Sequence, residues 1–234
     1  MSAAGRLARG VGWVLIGALL IVLLIQLWYF GWIVLWRWHD PGETSFMHRE
    51  RIRLAQLHRK PALRHQWVGY DRISNHLKRA VIAAEDARFL EHEGVDWEAV
   101  QKAYETNLKR GRTARGGSTI TQQLAKNLFL SPERSYLRKG QELVLTYMIE
   151  LVWDKRRILE VYLNVAEWGE GVFGAEAAAR HYYGVSAAQL DADQAARLAA
   201  MLPRPRFYDR NRGSAYLARR ADAILRFMND SQIP

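Results

Sequence analysis

Residues 116–127 read Gly-Gly-Ser-Thr-Ile-Thr-Gln-Gln-Leu-Ala-Lys-Asn, combining two glycines, a group of hydroxyl residues, adjacent glutamines and a single cation. Gly116 and Gly117 permit a tight turn, and Ser118 or Thr119 is suited to cap a helix. Gln122 stands three residues after Thr119, the spacing of a capping box. The N–H groups of such a helix start favour anions. Along the helix that follows, Gln122, Lys126 and Phe129 share one stripe and Gln123 and Asn127 the next, so amides and an ammonium look to one side. That face suits sugar hydroxyls and phosphate oxygens, although a capped surface helix is the simpler reading of this run in isolation.

On either side the pattern is helical. Ala80 to Glu93 reads as an alanine-rich helix closed by Gly94, and Asp96 caps a helix running to Lys109. Ser131-Pro132-Glu133 signals the start of a helix that runs to about Trp153. Asp154 opens a shorter one through Leu163, and a glycine-rich loop (Gly169, Gly171, Gly174) leads into Ala175–Tyr183, which Gly184 stops. Further helices are expected near 191–202 and 214–229. No run alternates well enough to predict a strand, so the expected fold is all-α.

The chain has 234 residues, a length natural to one catalytic-sized domain, and a net charge of +10. That balance favours phosphate-bearing or anionic partners without choosing among them. The absence of cysteine excludes disulfides, thiolate catalysis and cysteine-based zinc sites. Val11 to Trp36 carries no charged side chain and only one strongly polar one, Gln26, over more than the ~20 residues that span a bilayer. It is too long for a signal-peptide core, and Trp28, Tyr29, Phe30, Trp32, Trp36 and Trp38 crowd its far end as an interfacial belt. We read residues 1–10 as a cytoplasmic tail, 11–36 as a retained transmembrane anchor, 37–69 as a connector and 70–234 as the catalytic domain. Arg6 and Arg9 mark the inner side, although Arg37 and later cations oppose that bias.

The first chemical candidate is Glu85-Asp86-Ala87-Arg88-Phe89-Leu90-Glu91-His92-Glu93-Gly94. On a continuous helix Glu85, Arg88, Phe89 and His92 share a face. Glu85 follows the apolar Ala80–Ala84, where helix core meets cleft, a setting that raises a carboxylate's pKa toward a general base. A solvated helix end is the alternative. His92 has no second histidine at ligand spacing, so no metal site is expected of the protein. Arg138 and Glu142 form an i,i+4 pair, and Lys155-Arg156-Arg157 puts cations at a helix start, which either solvation or an anionic neighbour explains.

Taken in order, five segments resemble one family. Glu-Asp-x-x-Phe-x-x-His-x-Gly at 85–94, Gly-Gly-Ser-Thr-Ile-Thr-Gln-Gln-Leu-x-Lys-Asn at 116–127 and Arg-Lys-x-x-Glu at 138–142 are followed by Lys-x-x-Ile-Leu-x-x-Tyr-Leu-Asn at 155–164 and Arg-Arg-x-x-x-Ile-Leu-x-x-Met at 219–228. Together they are similar to the five motifs of the peptidoglycan glycosyltransferases, over roughly residues 70–230. The resemblance implies a lysozyme-like helical domain that polymerises lipid II, a disaccharide-pentapeptide on undecaprenyl diphosphate, into β-1,4 glycan strands. Ser-x-x-Lys and Lys-Thr-Gly motifs are absent, so the monofunctional form without transpeptidase activity is expected. Given that substrate, the chemistry of the site makes Glu85 the general base, and Glu142, the second catalytic carboxylate, is expected to fix the basic cluster or the sugar near it. The resemblance assigns substrate contacts to Asp86, Arg88, Phe89, Ser118, Thr119, Gln122, Gln123, Lys126, Asn127, Arg134, Arg138 and Lys139. It further implies Mg²⁺ or Mn²⁺ bound with the substrate diphosphate, a place in the inner membrane with the domain in the periplasm, and the bilayer and growing strand as partners. Cell-division or penicillin-binding proteins are compatible protein partners, and nucleic acid is not. One departure is Met148, where many bifunctional relatives carry lysine. Residues 97–115, with Trp97, Tyr104 and Leu108 among several cations, are expected to form a flap at the bilayer.

Overall fold

The structure, a computed structural model, describes residues 3–57, 63–110, 117–133 and 135–234. It divides into two units, residues 1–39 and 40–234. The first is the helix α1 (Ala3–Leu35), whose stretch Gly10–Leu35 is long and apolar enough to cross a membrane. At 1.5 Å per residue its 26 residues exceed the ~30 Å hydrocarbon core.

The second unit is predominantly helical, as expected. α2 (Ser45–Gln56) is followed by the two-residue strand β1 (Arg64–His65), then by α3 (Asn75–Glu85), α4 (Trp97–Arg110), α5 (Ile120–Phe129) and α6 (Tyr136–Val152). Next come α7 (Lys155–Val165), β2 (Glu167–Gly169), β3 (Val172–Phe173), α8 (Ala175–Tyr183), α9 (Ala192–Met201), α10 (Pro205–Arg210) and α11 (Ala215–Phe227). Side-chain caps explain most helix starts. Thr44, Ser74, Ser135 and Asp154 each accept a hydrogen bond from a first-turn N–H, and Thr119/Gln122 and Asp191/Gln194 form complete capping boxes.

Two helix groups make the core. α3 and α11 pack on α9, whose Ala195, Ala196, Ala199 and Ala200 are buried and allow close approach. α6 and α7 pack on α5 through Leu124, Leu128, Leu145, Ile149, Ile158 and Leu159. The three strands form a small sheet in the order β1-β3-β2, with β1 parallel and β2 antiparallel to β3.

Four local expectations need correction. The helix predicted over 80–93 ends at Glu85, because Asp86 turns out of it (φ −161°) to place its carboxylate elsewhere. Residues 37–69, read as a connector, contain α2, which packs on α5. The helix expected from Ser131 starts at Tyr136, after the Ser135 cap. The glycine-rich 169–174 loop carries strand β3 and is too short for any alternation to show.

Gly174 enters α8 with φ +84°, and a Cβ there would lie 2.6 Å from the backbone oxygen of Asn164. Gly140, inside α6, has no heavy atom within 4 Å of such a Cβ. Gly174→Ala is therefore expected to lower unfolding stability by about 2 kcal/mol or more. Gly140→Ala should instead raise it by ~0.5–1 kcal/mol. Chemical denaturation of the detergent-solubilised chain measures both.

Candidate active site

Where α3 ends, Glu85 is carried into a groove with little solvent around it, its side chain 11% exposed. Gln123 on α5 donates through Nε2 to Glu85 Oε2 at 2.9 Å, and Arg220 Nη2 on α11 lies 3.3 Å from Oε1. Burial pushes the Glu85 pKa above the usual carboxylate range, and Asp86 adds to the rise. The Gln123 hydrogen bond and the charges of Arg220 and Lys126 oppose it. The groove has a volume of about 650 Å³, and Glu85, Arg88, Lys102, Ser118, Gln123 and Arg220 are among its walls.

A second groove of about 740 Å³ shares Ser118 and Gln123 with the first. Its character is cationic. Glu142 is buried on α6 between Arg138 (Nη1 at 2.6 Å) and Lys139 (Nζ at 2.5 Å), so both of its oxygens are taken by cations of its own helix. Lys126 lines the same space, and burial lowers its pKa while Glu142 and Glu85 raise it. Three cations thus face one carboxylate, and the Nε of Arg138 is buried without a protein acceptor. That surplus suits an anion.

A latch holds the segment between these grooves and the core. Asp86 accepts from His92 Nε2 at 2.9 Å through Oδ1 and from the Ile120 N–H at 3.0 Å through Oδ2, which joins the end of α3 to the first turn of α5. Thr119 Oγ1 donates to the Gly94 carbonyl at 2.6 Å. Gly94 is held at φ +85°, with Thr146 2.6 Å from where a Cβ would stand. Lys155 Nζ donates to the His92 carbonyl at 2.7 Å and to Glu150 at 2.9 Å, and Glu150 also accepts from Thr121 Oγ1 at 2.6 Å.

A transglycosylase family model matches residues 52–229, a span that contains Glu85, the first groove, the latch and all of the second groove but Phe46. The chain belongs to the transglycosylase family. Over 222 residues it is 64% identical to the biosynthetic peptidoglycan transglycosylase of Janthinobacterium sp. (strain Marseille), covering 95% of this chain and 96% of that protein. The proteins of the same name from Dechloromonas aromatica (strain RCB) and Bordetella pertussis are 58% and 59% identical, over 97% of this chain and 99% and 98% of their own lengths.

Within this transglycosylase, Glu85, Arg88, Ser118, Thr119 and Gln123 come together on the first groove, and Gln122, Lys126, Arg138, Lys139 and Glu142 on the second. Three expected substrate contacts are placed differently. Phe89 is fully buried under Lys155, whose Nζ lies 4.8 Å from the ring centroid, because the chain leaves the helix after Glu85 and turns Phe89 inward. Asn127 is buried on α5 and lines neither groove. Asp86 borders the first groove but spends both oxygens on the latch. Arg88 is tied to Glu91 at 2.8 Å and to Glu98. Arg134, Gly116 and residues 111–115 of the expected flap lie outside the described residues.

Two contributors carried no assigned role in the sequence reading. Arg220 belongs to the fifth motif and was quotable only as pattern. Phe46, from the presumed connector, walls the second groove 5.5 Å from Lys126 Nζ, and nothing local signals that contact.

Arg220 lowers the Glu85 pKa, so Arg220→Gln should raise it further. A ¹³C-carboxyl titration of Glu85 is expected to move its midpoint to higher pH than in the wild type. An unchanged or lower midpoint refutes the electrostatic role of Arg220.

Proposed function

We propose that this protein polymerises lipid II into β-1,4-linked glycan strands with release of undecaprenyl diphosphate, using Glu85 as general base. The observation carrying the reading is one buried carboxylate of raised pKa in a groove that shares Ser118 and Gln123 with a cationic groove. Membership of the transglycosylase family, with relatives named for peptidoglycan, supports it.

The acceptor sugar's 4-hydroxyl lies against Glu85, which takes its proton as the oxygen attacks the anomeric carbon of the donor. Attack on the face opposite the leaving group turns the α-linked diphosphate into a β-1,4 glycosidic bond. The proton ends on Glu85, and the bonding pair of the broken C–O bond leaves on the diphosphate. Lys126, Arg138 and Lys139 neutralise that developing charge. Glu142 holds Arg138 and Lys139 in place, with one of its oxygens on each. A raised Glu85 pKa favours this role, because a base is most effective when its pKa approaches the working pH.

Mg²⁺ or Mn²⁺ would arrive with the substrate diphosphate beside Lys126, Arg138 and Lys139 and would supply further charge neutralisation there. Among the described residues no group of three or more His, Cys, Asp or Glu side chains is placed to hold a metal ion. The apolar α1 anchors the enzyme beside its lipid-borne substrate, which raises the local concentration of each for the other. We further propose inner-membrane insertion with the catalytic unit in the periplasm, where cell-division or penicillin-binding proteins are accessible as partners.

Purified wild type supplied with lipid II should form polymer. Glu85→Gln should lose about 10²–10⁴-fold in rate while still binding lipid II. Shortening of preformed glycan without polymer would instead assign a hydrolase.

A further inference from the structure

Behind Glu85 the hydrogen bonds continue into the core. Tyr162, on α7, is 1% exposed, and its hydroxyl donates to Gln123 Oε1 at 3.0 Å. The same Gln123 side chain donates from Nε2 to Glu85 Oε2 at 2.9 Å. A primary amide has a donor end and an acceptor end, related by a 180° turn about its last torsion. An ionised carboxylate only accepts, so it stabilises one of the two orientations. The phenol favours that same orientation, because a buried hydroxyl that accepted from the amide N–H instead would give up Gln123 Oε1, the acceptor of its own proton.

We infer that Tyr162 is a positioning residue for Glu85 and acts through Gln123, by locking the amide with its N–H toward the carboxylate. The inference rests on Glu85 being the base. Once the hydroxyl is removed, only the carboxylate holds the amide, so turning the Gln123 oxygen toward Glu85 costs less, and a carbonyl facing a carboxyl pairs only with the protonated acid. The lock therefore selects the form of Glu85 that abstracts a proton. Burial, together with the charges of Glu85 and Asp86, pushes the phenol well above its usual pKa, so Tyr162 remains a neutral donor throughout the working range.

Other groups facing Glu85 do not substitute for this lock. Arg220 from α11 and Lys126 from α5 favour the carboxylate by charge, and the neighbouring Asp86 opposes it. None of the three hydrogen-bonds the Gln123 amide, whose partners are Tyr162 and Glu85. The role also gives a local reason for tyrosine in the Lys-x-x-Ile-Leu-x-x-Tyr-Leu-Asn segment, where phenylalanine would fill the same core volume.

The test compares wild type, Tyr162→Phe, Gln123→Leu and the double variant, each as the full chain in detergent. Two readouts are followed, lipid II polymerisation as a function of pH and the ¹³C-carboxyl titration of Glu85. In Tyr162→Phe the acid limb of kcat/KM should move to higher pH. The rate should fall about tenfold below the limb and no more than about threefold above it, the size expected for one hydrogen bond to a charged group. Gln123→Leu should move the limb in the same direction, and Tyr162→Phe should add no further shift in that background. A uniform loss at every pH, or a full additional shift in the double variant, overturns the inference. The carboxyl titration needs no turnover. An unmoved Glu85 midpoint therefore refutes the lock even if the polymerase reading fails, and a moved midpoint supports it. If Tyr162→Phe melts below the assay temperature, both readouts are taken below its melting point, where an unmoved Glu85 midpoint refutes the lock and a raised one supports it.

Discussion

The buried carboxylate of Asp86 ends one helix and begins another. By accepting the Ile120 N–H and the His92 ring N–H, it turns the chain out of α3 immediately after Glu85 and ties that point to the first turn of α5. Had the alanine-rich helix run on to residue 93, Glu85 would have been a mid-helix side chain without this link to α5. The bond to Gln123, on the next turn of α5, depends on this junction. So does the wall of Ser118 and Gln123 that the two grooves share.

The two grooves manage charge in opposite ways. On one side a single carboxylate is desolvated, and a glutamine and an arginine only partly compensate, so its proton affinity rises. On the other, Glu142 is fully engaged by Arg138 and Lys139 and serves to fix cations that would otherwise repel. A buried carboxylate paired in this way adds little net stability in general, and its value here is geometric. The two glutamates that resemblance marks as catalytic therefore have unlike environments, one held mainly by a neutral amide and one by two cations.

Local chemistry made much of this legible. The Thr119/Gln122 capping box was readable from four residues, because both of its hydrogen bonds lie within one helical turn. The caps at Asp96, Asp154 and Asp191 were accessible for the same reason. What escaped depends on distant partners. Nothing between Ala80 and Glu93 announces a helix stop, since the group that causes it is an amide 34 residues away. Phe89 looked like a cleft residue only on the assumption of an unbroken helix. α2 passed for a connector because its Arg-rich sequence conceals a buried ion pair, in which Glu50 is held by Arg53 at 2.7 Å and by Arg206 of α10 at 2.8 Å. The order of the five motifs was enough to name the family but not to show which of their side chains reach the grooves.

The Lys155 latch bears on how the molecule opens. It joins the His92 carbonyl, Glu150 of α6 and, through Glu150, Thr121 of α5, with only a fifth of the lysine side chain exposed. A loop secured on three elements has no low-cost opening of its own, because releasing it strands a buried glutamate. The segment from Asp86 to Asp96 therefore belongs to the same cooperative unit as α5, α6 and α7. The His92 and Gly94 carbonyls held in this network are therefore released only with the opening of that unit.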